Sequence, residues 1–243
     1  MSPQTDRVVT DSGSSGPSGR VSPGAVVFDL DGTVADSQEG ILLSLHQTLD
    51  EYGRGDDRDL RSLIGPPLDE SFRALGFGED ELSGVVDRYR EIYDREGVAL
   101  ARPYPGVIEV LRTLRQRGVR LALATAKRVD FAERMLDDFG VRELFDDVAG
   151  ASLDDTLTAK VDIVAEVRAV FEDAAGGAWM VGDRRHDVEA ARALGLVPVG
   201  VLWGYGSRAE LETAGARWLI ARPEELLIGD DWPSDVAPNE TRA

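Results

Sequence analysis

The chain has no cysteine and two histidines among 243 residues. Disulfides and thiolate chemistry are excluded, and a zinc centre built from His and Cys has no donor set. Any metal should be bound by oxygen. Long apolar runs are also missing, since nothing approaches the ~18 consecutive apolar residues of a membrane-spanning helix. Residues 1–20 carry Ser, Gly, Pro and Asp in place of the apolar stretch of a signal peptide. The expectation is a cytoplasmic protein with no membrane partner. Basic charge is scarce: 27 Lys and Arg face 45 Asp and Glu, a formal net charge of −18. Such a surface repels nucleic acid and anionic lipid, so neither is expected as a partner. It equally repels a small phosphorylated ligand. A phosphate-handling site here therefore needs a local concentration of donors and cations.

Short apolar runs at 25–30, 119–124, 178–181 and 197–202, bounded by Gly, Pro, Asp or Arg, have the character of buried parallel strands. Between them, apolar residues recur at helical spacing: Val107, Val110, Leu111 and Leu114; Phe131, Met135, Leu136 and Phe139; Ile163, Val164, Val167, Val170 and Phe171. The alternation predicts an α/β fold, a doubly wound Rossmann-like parallel sheet. One connection breaks the rhythm. Between the first strand and Pro103-Tyr104-Pro105-Gly106 there are helical patterns at Ile41, Leu45, Leu49 and Tyr52, and at Leu82, Val85, Val86, Tyr89 and Tyr93, but no comparable strand. This predicts a small all-α cap at 37–103 inserted into a core of 24–36 and 104–228. Residues 1–23 and 229–243 are too poor in apolar side chains to repay ordering and are expected as tails. There is no internal repeat.

Three of the strands end in polar groups. Val26-Val27-Phe28 leads into Asp29 and Asp31, Ala122-Leu123-Ala124 into Thr125, and Trp179-Met180-Val181 into Gly182-Asp183. In an open parallel sheet the carboxyl ends of the strands line one crevice, so these residues should converge. Asp29 and Asp31 address the same small volume before Gly32 turns the chain, and their repulsion is relieved by a cation. With Asp183, and Asp187 four residues on, they form an oxygen-rich set suited to Mg²⁺. Asp187 alone also fits a helix-surface position. Thr125 fits either a phosphate donor or the cap of the helix that begins near Arg128. Lys160 lies near a helix start, where a cation is poorly placed for the helix dipole.

On these residues the chain resembles the haloacid dehalogenase superfamily, in the branch with a helical cap after the first strand. The likeness covers about residues 24–228, and its four motifs occur in order as Asp29-Leu30-Asp31-Gly32-Thr33, Thr125, Lys160, and Gly182-Asp183-Arg184-Arg185-His186-Asp187. The resemblance implies Asp29 as nucleophile in an aspartyl-phosphate mechanism and Asp31 as acid and then base. It implies Mg²⁺ held by Asp29, Asp183 and the backbone carbonyl of Asp31, with Asp187 steadying the site. Thr125, the N–H of Ala126 and Lys160 would hold phosphoryl oxygens. An acid two residues after the nucleophile favours phosphate ester chemistry over dehalogenation.

Ile64-Gly65-Pro66-Pro67-Leu68, Tyr104-Pro105-Gly106-Val107 and Trp203-Gly204-Tyr205-Gly206-Ser207 add a likeness to phosphoglycolate phosphatases and 5′-nucleotidase-like phosphatases. Gly65 and Pro66 fit a cap contact to substrate or a rigid turn between cap helices. Trp203–Ser207 also fits a plain loop with Ser207 capping the next helix, and Arg184, Arg185 and His186 are expected in solvated loop positions. The expected ligand is a small phosphorylated metabolite, bound by a monomer or homodimer. Two other readings stand beside it: a sugar-phosphate phosphomutase, and an idle module that binds a phosphorylated ligand.

Overall fold

All four residues of β1 (Ala25–Phe28) are apolar and buried, and the two-residue period of a strand divides their side chains between two cores. Val26 and Phe28 join one buried cluster, Ala25 and Val27 the other. The computed structural model describes residues 23–154 and 156–228; the tails expected at 1–23 and 229–243 lie outside the described residues, apart from Pro23.

After β1, the short β2 (Ala35–Asp36) leads into α1 (Gln38–Glu51), α2 (Leu68–Ala74) and α3 (Glu79–Ile92). The chain returns through β3 (Arg102–Pro103) to α4 (Val107–Gln116), β4 (Arg120–Arg128), α5 (Val129–Asp138) and β5 (Asp147–Ala151). Then follow α6 (Lys160–Glu166), α7 (Arg168–Phe171), β6 (Ala178–Gly182), α8 (Arg185–Ala193), β7 (Val197–Val201), α9 (Arg208–Ala214) and β8 (Trp218–Ile220).

Six strands form one sheet in the order β5-β4-β1-β6-β7-β8, with every pairing parallel. The winding runs outward from β1 on one side, returns to the centre at β6 and then runs the other way. Such a switch point opens a crevice at the strand ends. One face of the sheet packs Val110, Leu111 and Leu114 of α4 and Phe131, Met135 and Leu136 of α5. The other face packs Ile163, Val164, Val170, Phe171, Ala190 and Ala191 of α6 to α8. Each large aliphatic side chain so buried contributes about 1.5–3 kcal/mol. The four expected strands and the helices between them are present. The pattern read as one helix around Val167 is divided there into α6 and α7. Two strands of this sheet are not marked by the sequence. β5 is a small-residue edge strand, Asp147-Val148-Ala149-Gly150-Ala151, and β8 is three residues long at the other edge. Neither holds an apolar run long enough to stand out.

The helical insertion is entered and left through a two-residue antiparallel ribbon pairing Ala35 with Pro103 and Asp36 with Arg102. Ile41, Leu45, Leu49, Leu82, Val85, Val86, Tyr89 and Tyr93 are all buried, while Tyr52 is exposed. α2 is too short to declare itself by periodicity. Aromatic rings link the insertion to the sheet layer: Phe72 meets Phe77 and Tyr89 edge to face, Tyr89 stacks on Tyr93 at 5.9 Å, and Tyr93 meets Phe131 of α5 at 5.4 Å.

Candidate active site

Register sets the geometry. Phe28 lies opposite both Leu123 and Val181, so β1, β4 and β6 reach the crevice level with one another. The residues that follow therefore meet: Asp29, Asp31, Thr125, Lys160 and Asp187 all line one cavity of about 630 Å³ beneath the helical insertion. Ala126 lines it as well, and Gly65 and Pro66 reach it from the insertion side.

Asp29, Asp183 and Asp187 are buried, and an oxygen from each lies within 4.8 Å of the others. Lys160, the first residue of α6, sends its ammonium to Asp29 Oδ1 at 2.6 Å and Asp187 Oδ1 at 2.7 Å. Asp187 Oδ2 accepts the Arg184 N–H at 3.0 Å, which opens α8. Asp183 Oδ2 accepts the N–H groups of Tyr205 at 2.6 Å and Gly206 at 3.2 Å. Its Oδ1 is buried with no partner. Two carboxylates thus share one ammonium, and the third keeps a buried oxygen unsatisfied. Burial pushes the Asp29 carboxyl up to about 7, against the attraction of Lys160 and with added repulsion from Asp187 and Asp31. Asp183 is raised by burial and by its two carboxylate neighbours. Burial opposes the charge on Lys160, yet Asp187 and Asp29 hold its pKa above the ordinary lysine value. A hard divalent cation fits this donor set: it would satisfy Asp183 Oδ1 and offset the carboxylate repulsion.

Asp31 stands apart from the triad. Its Oδ2 faces the ammonium of Lys127 at 3.1 Å, and its Oδ1 is buried without a partner. Lys127 was missed in the sequence, although a lysine two residues beyond Thr125 on a strand entering the crevice was a readable signal. Thr125 is buried, and its hydroxyl accepts the Lys127 N–H at 3.2 Å. Arg128, not Thr125, precedes the first turn of α5, so Thr125 is not that helix's cap.

The Trp203–Ser207 segment is more than a connector. Besides the two N–H groups given to Asp183, Trp203 Nε1 donates to the Thr33 carbonyl at 3.0 Å, and the Tyr205 hydroxyl donates to Asp36 Oδ1 at 3.1 Å. Ser207 does cap α9, accepting the Glu210 N–H at 3.1 Å. Of the three residues expected in solvated positions, only Arg185 is exposed. Arg184 and His186 line the cavity, because α8 starts directly beneath the insertion. The Arg184 guanidinium donates to the Ile64 carbonyl across the cavity mouth and pairs with Glu210 at 3.0 Å. Gly65 has φ +107°, and a Cβ there would stand 2.7 Å from Arg184 Nη1. The Gly65 turn is thus a close contact between insertion and core.

A doubly wound sheet with paired aspartates and a carboxylate cluster at its switch point, covered by a helical insertion, defines a capped α/β protein with an aspartate-based site. Residues 26–201 match the haloacid dehalogenase-like hydrolase family, and the chain belongs to it. Among curated proteins it is 42% identical over 187 residues to tyrosine-protein kinase PtkA of Mycobacterium tuberculosis, covering 76% of this chain and 64% of that protein's length. It is 36% identical over 190 residues to a 5′-nucleotidase of Pseudomonas aeruginosa, covering 76% of this chain and 86% of that one. Among solved structures, one described as a predicted phosphatase from Clostridium acetobutylicum superposes with a TM-score of 0.79 at 33% identity, covering 84% of this chain and 96% of that one. Among the described residues no helix is long and apolar enough to cross a membrane.

Proposed function

We propose that the chain is a Mg²⁺-dependent phosphatase of the cytoplasm that hydrolyses a small phosphomonoester through an aspartyl phosphate on Asp29. The observation that carries this reading is the pairing of Asp29 and Asp31 with separate ammonium groups, Lys160 and Lys127, in one cavity. A buried carboxylate oxygen of Asp183 stands beside them without a partner. Asp29 and Asp183 would hold Mg²⁺, with Asp187 steadied by Lys160 and the Arg184 N–H. When bound, Mg²⁺ supplies positive charge against the transferring phosphoryl group.

In the first step a carboxylate oxygen of Asp29 forms a bond to phosphorus as the bond to the ester oxygen breaks. That oxygen takes a proton from Asp31 and leaves as the alcohol. In the second step Asp31 takes a proton from water, whose oxygen bonds to phosphorus. The Asp29–phosphorus bond breaks, releasing phosphate and restoring both carboxyls to their starting states. The Thr125 hydroxyl, the Ala126 N–H and Lys160 hold the phosphoryl oxygens. Such transfer asks chiefly for positioning and charge neutralisation, which is how so acidic a chain can receive a phosphate.

The test is phosphate release across a panel of phosphoglycolate, nucleoside 5′-monophosphates and sugar phosphates, with Mg²⁺ and with chelator. Asp29→Asn should lose at least ~10³-fold in kcat. Intact Mg²⁺-dependent release by that variant overturns the mechanism. The similarity to PtkA favours a second reading, transfer of a phosphoryl group from a nucleoside triphosphate to a tyrosine hydroxyl. Labelling of a tyrosine peptide from ATP faster than release of phosphate from any panel member would select it.

A further inference from the structure

Lys127 has no part in the phosphate cradle of Thr125, Ala126 and Lys160, yet it is as buried as Lys160, with 7% of its side chain exposed against 8%. An ammonium so buried needs partners. It has two, from different layers of the molecule. One is Asp31 Oδ2, at 3.1 Å. The other is the hydroxyl of Tyr93 at 2.6 Å, in the turn that follows α3 of the cap. Tyr93 is itself fixed by its stack on Tyr89 and its edge contact with Phe131.

The consequence falls on Asp31. Its two carboxylate oxygens are made unequal, because Oδ2 is tied to Lys127 while Oδ1 is buried with no partner. A carboxyl free to rotate would present either oxygen and spend part of its time misaligned, and alignment to a fraction of an ångström governs proton-transfer efficiency. We propose that Lys127 is a positioning residue for Asp31, holding Oδ2 and so fixing the orientation of the carboxyl toward the leaving oxygen, and that Tyr93 sets Lys127 from the cap. This rests on the phosphatase reading of Asp31. It adds a coupling, since the acid is aligned only when the end of α3 is seated on the core. A structural ion pair that merely anchors the cap would have the same contacts but a different kinetic signature.

Two esters of similar size separate the possibilities. 4-Nitrophenoxide leaves readily without a proton, whereas the 4-nitrobenzyl alkoxide needs one. kcat/KM reports formation of the aspartyl phosphate for both, free of the later hydrolytic step. In Lys127→Met, kcat/KM should fall about 100-fold for 4-nitrobenzyl phosphate and less than about 5-fold for 4-nitrophenyl phosphate, the differential expected for loss of an aligned general acid. Lys127→Arg should recover part of the benzyl activity. Tyr93→Phe keeps the ring contacts and removes only the hydroxyl, and should show the same differential at about 5–10-fold. It also serves as the test if Lys127→Met does not fold. Equal losses on the two esters in these variants, or no loss on either, overturn the proposal and leave the phosphatase reading standing. No Mg²⁺-dependent turnover of either ester by the unaltered chain, with none on the panel above, removes both.

Discussion

Asp183 sits in a pocket of glycines, and each has a steric reason to be there. A Cβ on Gly32 or Gly204 would strike the Asp183 side chain, and one on Gly206 would strike its backbone carbonyl. The chain is packed against this aspartate so tightly that two backbone N–H groups reach one oxygen and leave the other free. Gly206→Ala should therefore destabilise the protein by about 1–3 kcal/mol, the usual cost of overpacking. It should also weaken Mg²⁺ binding, and thermal melts with calorimetric Mg²⁺ titration measure the two effects separately. The raised carboxyls make a second prediction. The Asp29 carboxyl moves from 3.8 when unperturbed to about 7 when folded, so across that interval the folded chain holds a proton that the unfolded chain has released. Its contribution is intact at the acid end and is lost as pH rises through about 7. Asp183 is shifted in the same direction. The melting temperature in chelator should fall between pH 5 and 8, and Mg²⁺ should flatten the slope by taking the place of the protons.

Among the elements, the cap joins the core through one backbone ribbon, β2 with β3, and through side-chain contacts such as Tyr93 with Phe131 and Arg184 with the Ile64 carbonyl. α1 and the turn after α3 cross at Gly40 and Gly97, where a Cβ on Gly40 would collide with the Gly97 carbonyl. Gly40→Ala should cost about 1–3 kcal/mol by forcing this crossing apart. Because Tyr93 opens that turn, the variant should also lose kcat/KM on esters with basic leaving groups, and melts paired with the 4-nitrobenzyl assay check both effects. The longer helices α1, α3, α4 and α5 were legible because buried faces recur every three or four residues. Leu82, Val85, Val86 and Tyr89 needed no partner to be recognised as one stripe. β5 was not legible, because Ala149 and Gly150 gain their strand conformation from pairing with Ala124 and Thr125 and not from their own preference.

At the scale of the whole molecule, a net charge of −18 opposes an anionic substrate, while Lys127, Lys160 and a bound Mg²⁺ would attract it. Raising monovalent salt from about 0.01 M to about 0.15 M shortens the Debye length from roughly 30 Å to roughly 8 Å. The long-range repulsion is screened more than the buried contacts of Lys127 and Lys160. Substrate kcat/KM at fixed Mg²⁺ should rise several-fold over that range, and a fall would mean that local attraction governs capture. Sequence alone determined the doubly wound sheet, the helical insertion and the meeting of Asp29, Asp31, Thr125 and Asp183, because strand ends in a parallel sheet have one crevice to share. Only the tertiary structure decided which cation serves which carboxylate. Lys160 goes to Asp29 and Asp187, Lys127 to Asp31 and Tyr93, and Arg184 to the Ile64 carbonyl. A long flexible side chain carries no periodicity to reveal its partner; what fixes the pairing is the cavity into which the packed sheet and cap confine it.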